Sequence, residues 1–503
     1  MLLLSVTVVP VTAAGSGSTV ASSAVQDLGW SYQHEFDETD GGHSVSLALH
    51  DRFILSLYED SSSDSDPHWI IVSHPGLVIR DEAVRRVSGN YKHFWFVEAA
   101  GAGSHEFSLN KVPSDKHPDE AGFDHYTLSI VVKPGEWNIT TVDDTGSGSL
   151  AGAYPSLRID RSGTPRISYY SYRYGKIMYG ELQGDTWNLS PVADSDGTYS
   201  TSLALAPSGY PAISFGDGVH YGNLMYAERN GTSWDVRELD RGWGIVYEDS
   251  NDNILYNGSA VGDVGEYSSL AFDGKGNPHI TYNDGRYFGS LEYATRDGSV
   301  WHTHNDRSWH SVDTDGGWTG NTGFSSSLAI GPAGELHVAY TDRKYYGNLM
   351  YAEFNASTWT LTRIDDGGSA TSSTGYNPSL ALDYSGHPHI SYYDKSASTL
   401  RYASWNGTAW TFDTIDATND VGAYSSLAIG GSDEPQISYY DASYGELRYA
   451  TYDSMSSQWV IRTVDTDGDV GMHTSIALDP SGHPDIAYYD VTNHALKFAQ
   501  WTG

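Results

Sequence analysis

The sequence has 503 residues, among them 54 Gly, 37 Tyr and 15 Trp, and 39% of its residues are hydrophobic. This composition favours many short strands and tight turns over long helices, so it predicts an all-β fold. Lys and Arg total 28 against 64 Asp and Glu, which gives a net charge of −36. Such an acidic surface repels nucleic acid and anionic lipid and favours cations or basic partners. The chain has no cysteine, which excludes a disulfide, a thiolate zinc site and a cysteine nucleophile.

Residues 1–25 combine an apolar run, "MLLLSVTVVPVTAA", with a Gly/Ser-rich stretch. The run resembles the hydrophobic region and cleavage site of a secretory signal, and the stretch after it is typical of a linker. We therefore expect an extracellular or cell-surface location. No later segment has the roughly 18 apolar residues that span a bilayer. Six N-x-Ser/Thr sequons fit a secreted glycoprotein, namely Asn138, Asn188, Asn230, Asn257, Asn355 and Asn406.

A repeated unit of about 50 residues runs from Trp137 to the end of the chain, a period typical of solenoids, propellers and arrays. Its consensus is W-x4-[VI]-D, a variable acidic and Gly-rich loop, S-L-A-[LI]-D, G-x-P-x-I-S-Y-Y-D and L-x-Y-A. Each unit holds four short β-rich runs that are separated by Gly/Pro or Asn-Gly turns. Four antiparallel strands per repeat describe the blade of a β-propeller.

The number of units predicts seven blades. Strands equivalent to "SLALD" begin at Ser156, Ser202, Ser269, Ser327, Ser379, Ser426 and Ser475. Trp-led strands begin at Trp137, Trp187, Trp234, Trp309, Trp359, Trp410 and Trp459. The last unit lacks a Trp-led strand of its own, so we expect residues 137–143 to complete it and close the ring, which pairs two otherwise exposed sheet edges. The predicted seven-bladed β-propeller covers residues 135–503.

In six of the seven units an aspartate ends the second strand, and the first unit has Ser171 there. These residues are Asp217, Asp284, Asp342, Asp394, Asp441 and Asp490. A catalytic residue is normally needed once, so we predict that each carboxylate accepts backbone N–H bonds in a turn. A ligand site repeated in every blade is the alternative. The Trp and Tyr rings are predicted to pack between blades.

Two stretches of the ring are candidate binding sites. In "DTDGDVG" (465–471) the spacing of Asp465, Asp467 and Asp469 could gather carboxylates around Ca²⁺, although a solvated acidic loop fits the same letters. The third unit carries an aromatic and acidic insertion at 241–259, and a long loop on a rigid ring is a common place for binding. Its candidate ligand or partner contacts are Trp243, Tyr247, Glu248, Asp249, Asp252 and Tyr256.

Residues 26–134 have strand-like runs of a different rhythm, which predict a small β-sandwich domain. The order "LSLYE", Trp69, "PGLV", Gly89, "HFWFVEAAGAGSHEFSL" and "YTLSIVV" resembles the chagasin-type inhibitors of papain-like cysteine peptidases. The resemblance implies an Ig-like fold and lies in the framework. Of the loops that enter the peptidase cleft in that family, this sequence keeps only Trp69, Gly89 in the stretch "SGN", and Pro113.

The repeats resemble seven-bladed proteins of secreted bacterial and archaeal origin, some of them labelled sialidase-like, but the sequence has no S-x-D-x-G-x-x-W box. Its acidic residues are spread over the units, whereas an enzyme needs dissimilar groups at one place. The first hypothesis is therefore an exported, non-enzymatic surface or matrix protein that presents loops to glycans, cations or proteins, including copies of itself. The alternatives are a glycoside hydrolase or lyase, and a cysteine peptidase inhibitor.

Overall fold

The computed structural model describes most of the chain from residue 34 onward. The described residues are 34–48, 52–59, 68–74, 76–87, 90–99, 103–112, 124–133, 135–144, 151–195, 197, 200–218, 222–241, 243–248, 254–261, 264–285, 289–303, 312–313, 322–343, 347–355, 358–368, 372–431, 433–453 and 457–502. Apart from one short 3-10 helix, Glu38–Asp40, every regular element in these ranges is a β-strand. The predicted all-β class is confirmed.

The chain divides into two compact units. The predicted domain boundaries, 26–134 and 135–503, stay predictions. One unit consists of residues 1–138, 480–483 and 501–503, and the other of residues 139–479 and 484–500.

The N-terminal strands form two four-stranded sheets. In sheet order, the first holds β1 (His34–Phe36), β3 (Arg52–Glu59), β6 (Asn90–Ala99) and β5 (Leu77–Val87), and the second holds β2 (Ser44–Ala48), β8 (Asp124–Lys133), β7 (Gly103–Val112) and β4 (His68–Ser73). The pairs β1–β3 and β2–β8 are parallel. Leu55 and Trp95 of the first sheet share one buried core with Phe107 and Leu128 of the second. The arrangement is a β-sandwich, and its Ig-like character stays a prediction.

The repeats form seven further four-stranded sheets, which we call blades 1 to 7. Blade 1 holds β10 (Ala151–Ile159), β11 (Pro165–Ser171), β12 (Lys176–Gln183) and β13 (Thr186–Asp194); blade 2 holds β14 (Thr201–Leu205), β15 (Pro211–Asp217), β16 (Asn223–Asn230) and β17 (Ser233–Asp240); blade 3 holds β20 (Val264–Phe272), β21 (Pro278–Asp284), β22 (Ser290–Asp297) and β23 (Val300–His302). Blade 4 holds β24 (Phe324–Ile330), β25 (Leu336–Asp342), β26 (Asn348–Phe354) and β27 (Trp359–Asp365); blade 5 holds β28 (Tyr376–Leu382), β29 (Pro388–Asp394), β30 (Thr399–Trp405) and β31 (Trp410–Asp416). Blade 6 holds β32 (Val421–Ile429), β33 (Pro435–Asp441), β34 (Glu446–Asp453) and β35 (Gln458–Asp465); blade 7 holds β36 (Val470–Leu478), β37 (Pro484–Asp490), β38 (Ala495–Thr502) and β9 (Glu136–Asp143).

Blade 7 joins the beginning of the repeats to their end. Its fourth strand is β9, beside β38, so the stretch 137–143 occupies the place that the sequence predicts. The third unit adds a hairpin of β18 (Trp243–Glu248) and β19 (Ile254–Val261).

A cycle of hydrogen bonds shows that the seven blades form a ring. In each blade a serine Oγ of the first strand accepts the backbone N–H of a Leu or Ile on the first strand of the next blade, at 2.9 to 3.1 Å. The seventh bond runs from Leu157 of blade 1 to Ser475 of blade 7 and closes the cycle. The first strands therefore surround a common axis.

Two further contacts repeat between adjacent blades. Six buried tyrosines of second strands donate to an aspartate at the end of the preceding blade, and these pairs are Tyr169–Asp143, Tyr282–Asp240, Tyr340–Asp313, Tyr392–Asp365, Tyr439–Asp416 and Tyr488–Asp465. Six tryptophans pack edge-on against a third-strand ring of the preceding blade, and these pairs are Trp187–Phe498, Trp234–Tyr179, Trp301–Tyr226, Trp359–Tyr293, Trp410–Tyr351 and Trp459–Tyr402. The predicted packing of aromatic rings between blades is confirmed.

The third unit departs from the predicted strand assignment. Its fourth strand is β23, in which Trp301 fills the position given above to Trp309. Asp313, further along the chain, still forms a bridge to Leu291 and accepts the Tyr340 hydroxyl. The prediction of Trp309 as the start of this strand is wrong because an insertion separates the tryptophan from the aspartate; Trp309 itself lies outside the described residues.

Candidate functional site: the axial pocket

A cavity of about 430 Å³ lies on the ring axis, and residues of all seven blades line it. Each blade contributes the residue two positions before its first-strand serine. In six blades this residue also stands two positions after a glycine and beside a β-bulge. We call this set the axial ring: Tyr154, Ser200, Tyr267, Ser325, Asn377, Tyr424 and His473. Phe324, Tyr376 and Arg343 add to the wall.

The backbone of the axial ring is strained in the same way in six blades. Tyr154, Tyr267, Ser325, Asn377, Tyr424 and His473 have φ between 47° and 56°. Positive φ is sparsely populated by residues with a Cβ, and residues held there cluster at ligand sites. Register shifts between first and second strands occur at these positions, as between Ala423 and Ser426. A β-bulge of this kind redirects a side chain, here onto the cavity wall.

A glycine before each strained residue lets the blades approach one another. Gly422 has φ 105°, and a Cβ placed on it would lie 2.6 Å from Leu400 Cα of the preceding blade. Corresponding glycines in five other blades meet the equivalent leucine equally closely. The strained position is thus fixed by backbone packing and holds whichever side chain the sequence puts there.

Aromatic rings contact one another around the cavity. The His473 ring lies 4.2 Å from the Tyr154 ring and 4.3 Å from the Tyr424 ring, measured between centroids. On another part of the wall, the Tyr267 and Phe324 centroids are 4.0 Å apart. Arg343 Cζ lies 3.1 Å from the centroid of the Phe324 ring. The cavity offers aromatic faces together with hydroxyl, amide and imidazole groups.

The electrostatics of the wall are those of a neutral site with one cation. Burial lowers the pKa of His473 to about 4, so its imidazole is uncharged at neutral pH. Burial also raises the pKa of the Tyr424 hydroxyl, which stays protonated. Among the described residues that line the cavity, none is an aspartate or glutamate. Although the chain has a net charge of −36, the described lining of the cavity therefore carries no negative charge.

Three of the strand-end aspartates accept backbone N–H groups in the turns that follow them. Asp394 Oδ1 accepts the backbone N–H groups of Ser396 and Ala397, both at 3.0 Å. Asp441 does the same for Ser443 and Tyr444, and Asp490 accepts the N–H of Asn493. Asp217, Asp284 and Asp342 are also buried. The three turns support the predicted turn role.

The aspartates of 465–469 are not brought together as a cation site. Asp465 is buried, and its Oδ2 accepts from the Tyr488 hydroxyl at 2.6 Å and from Lys497 Nζ at 3.1 Å. Although burial opposes it, these bonds and the Asp467 N–H lower the pKa of Asp465. Asp469 instead accepts the Tyr440 hydroxyl. Within the described ranges no group of three His, Cys, Asp or Glu side chains is placed to hold a metal ion.

The other predicted positions lie partly outside the described residues. This holds for Asp249 and Asp252, for Gly89 and Pro113, and for the side chains of Trp243, Tyr247, Glu248, Tyr256 and Asn257. Trp69 is described; it packs on the sandwich core, and its Nε1 donates to the Tyr58 carbonyl at 3.0 Å. The sequon residues Asn138, Asn188, Asn230, Asn355 and Asn406 are exposed. Among the described residues, no helix has the length and apolar character to cross a membrane.

Comparison with known proteins finds remote structural neighbours. No protein-family model matches the chain, and no curated protein gives a significant match. Among solved structures, an ulvan lyase of polysaccharide lyase family PL25 is 13% identical with a TM-score of 0.49, covering 73% of this chain and 98% of its own. The six-bladed fucose-binding lectin of Aleuria aurantia is 16% identical with a TM-score of 0.40, covering 62% and 95%. A protein of unknown function from Dyadobacter fermentans is 11% identical with a TM-score of 0.43, covering 72% and 98%.

The axial ring was not among the sites predicted from sequence. Its members differ from blade to blade, with three Tyr, two Ser, one Asn and one His, so the repeat consensus omits them. The signal that could have found them is this variation itself, since the Ser two residues later is the same in all seven units. A variable position beside an invariant one, on strands that converge at an axis, marks the place where seven similar blades form one asymmetric site.

Proposed function

We propose that this chain is an exported carbohydrate-binding protein that holds a glycan in the axial pocket. The observation that carries the proposal is the convergence of the variable axial ring on one cavity, with a strained backbone that repeats in six blades. Binding sites combine apolar faces with a few placed polar groups in a concave pocket. Sugars present both surfaces, because their C–H faces stack on aromatic rings and their hydroxyls exchange hydrogen bonds.

The lining favours binding over hydrolysis of a glycosidic bond. Hydrolysis normally uses two carboxyl groups on either side of the bond, and the described lining has none. The neutral His473 between two tyrosines supports lyase chemistry as the alternative, since His and Tyr can move the proton that elimination requires. Release of an unsaturated, ultraviolet-absorbing product from an acidic polysaccharide would favour the lyase.

The test is a glycan array followed by calorimetric titration of the best ligand. We expect Tyr424→Ala to weaken binding by about tenfold or more, as for an aromatic residue at the centre of a site. Tyr384→Ala is the matched control, because that ring is 84% exposed and lies outside the pocket. Equal affinity of wild type and Tyr424→Ala, with both folded, would place the glycan elsewhere. Binding of no glycan by wild type would refute the proposal.

A further inference from the structure

A second cavity, of about 320 Å³, continues along the same first strands beyond the axial pocket. Consecutive residues line the two cavities, as with Ser425 in the first and Ser426 in the second. Six of the seven serines that join the blades, Ser156 among them, form much of the wall. The second cavity therefore lies on the ring axis, surrounded by hydroxyl groups.

Arg158 is the one charged side chain in the described lining of this second cavity. It breaks the repeat, because the corresponding residue in each of the other six blades is alanine: Ala204, Ala271, Ala329, Ala381, Ala428 and Ala477. Six blades form the same first strand with alanine at this position. The fold thus has no need of an arginine at this position, and its presence calls for a separate explanation.

The guanidinium of Arg158 is not neutralised by the part of the protein that the structure describes. Its one hydrogen bond runs from Nη1 to the Leu157 carbonyl at 2.7 Å, and no described carboxylate pairs with it. Arg448 shows the usual arrangement in this chain, with Asp441 at 2.6 Å and Asp416 at 3.2 Å. Burial lowers the pKa of Arg158, yet a guanidinium stays protonated in proteins. The side chain is half-buried, so its positive charge is only partly hydrated and a bound anion would compensate it.

We propose that Arg158 and the serines around it form a binding site for a small anion on the ring axis. The guanidinium presents several N–H donors in a planar fork, which suits the two oxygens of a sulfate, phosphate or carboxylate. Each serine Oγ already accepts a backbone N–H, as Ser475 does from Leu157, which leaves its hydroxyl proton to donate. Donors converge on one space, and no acid lies in its described lining.

The same chemistry fits a free inorganic anion and the carboxylate of an acidic sugar. The site stands whether or not the axial pocket binds a glycan, since its argument uses other residues. Sodium sulfate and sodium glucuronate, titrated separately into the full chain, distinguish the two sources. The readouts are the thermal unfolding temperature and the heat of binding.

Arg158→Ala is the decisive variant, because alanine is the residue of the six other blades and the strand tolerates it. We expect sulfate or glucuronate to raise the unfolding temperature of wild type, with at least about tenfold weaker binding in Arg158→Ala, the loss expected for hydrogen bonds to a charged group. Arg237→Ala removes an exposed arginine that lies outside both cavities and should bind the anion as wild type does. General salt effects appear equally in all three proteins.

Crystals soaked in bromide give a second measurement that does not depend on stability. An anomalous peak beside the Arg158 guanidinium in wild type, absent in Arg158→Ala, would support the site. The inference is refuted if neither anion affects wild type, or if Arg158→Ala binds the anion as tightly as wild type does.

Discussion

The tyrosine–aspartate pairs between blades should differ in strength according to what else holds the aspartate. Tyr169 donates to Asp143 at 2.6 Å, and this is the only hydrogen bond that the described structure gives to the Asp143 side chain. Tyr439 donates to Asp416 at 2.8 Å, but Asp416 also receives Arg448 Nη1 at 3.2 Å. Thr418 bonds the other oxygen of Asp416 through its N–H and its hydroxyl. The two pairs allow one substitution to be compared in two settings.

Removing the hydroxyl from each tyrosine gives different expected losses. In Tyr169→Phe a buried carboxylate loses its described partner, so the full value of a hydrogen bond to a charged group, about 2 to 3 kcal/mol, should be lost. In Tyr439→Phe the carboxylate keeps Arg448 and Thr418, so the loss should be about 1 kcal/mol. Blade 2 provides the natural control, because Phe215 stands at the tyrosine position. There Asp194 is largely exposed and pairs with Lys176, so Phe215→Tyr should gain nothing.

The assay is urea unfolding of the full chain followed by tryptophan fluorescence, with the dependence of the free energy of unfolding on urea compared among variants. The expected order of stability is wild type, then Tyr439→Phe, then Tyr169→Phe. Equal losses in the two variants would show that Arg448 and Thr418 do not compensate. A Tyr169→Phe protein as stable as wild type would show that water replaces the hydroxyl, and the account of these pairs as buried contacts would be wrong.

Three other changes test the ring. Gly422→Ala should cost about 3 kcal/mol or more, because the left-handed backbone alone costs about 1 to 2 kcal/mol and the new Cβ meets backbone atoms. Gly482→Ala is the control, because its Cβ meets no other atom, and in the same urea assay it should lose only the left-handed backbone cost of about 1 to 2 kcal/mol. Ser379→Ala removes the acceptor of a half-buried N–H between blades and should cost about 1 kcal/mol or more. An unchanged free energy of unfolding would show that the serine cycle does not stabilise the ring. Burial lowers the pKa of His473 from 6.5 to about 4, so on acidification the unfolded chain is protonated at this histidine before the folded chain is. The free energy of unfolding contributed by His473 should therefore fall as the pH drops below 6.5 and level off below about pH 4. NMR titration of the imidazole and the pH profile of His473→Asn measure this, and an imidazole that titrates near 6.5 would contradict it.

Periodicity carried most of the prediction of the propeller. The "SLALD" and Trp-led runs recur because every blade packs against its neighbours in the same way. The number and order of these runs therefore predict the strands, the turns and the place of residues 137–143. The assignment of Trp309 failed because the third unit contains two tryptophans before its aspartate, and spacing alone favours the second. Contact with Tyr226 selects Trp301, and that contact is not visible in the sequence.

The axial pocket could not be predicted for the complementary reason. Tyr154, Tyr424 and His473 occupy left-handed backbone, which side chains with a Cβ rarely adopt, so propensity points away from their actual conformation. Their convergence depends on closure of the ring, which brings together residues hundreds of positions apart. Arg158 was visible as "SLRID" among units that read "SLAxD" or nearly so, but only the cavity shows that this exception lines a space shared with serines of other blades.

The pairing of β9 with β38 means that blade 7 cannot be completed until the end of the chain has been synthesised. Thr502 Oγ1 donates to the Glu136 carbonyl across 366 residues, so β9 leaves the ribosome long before its partner exists. At about 5 to 20 residues per second that wait lasts roughly 20 to 70 seconds. Until β38 is made, the edge of β9 and the side of blade 1 that will face blade 7 are exposed and can pair with other chains. Folding also slows as contacts become less local. Cells that make this protein quickly should need a holding chaperone, or a slow translation rate, to keep nascent chains from pairing with each other.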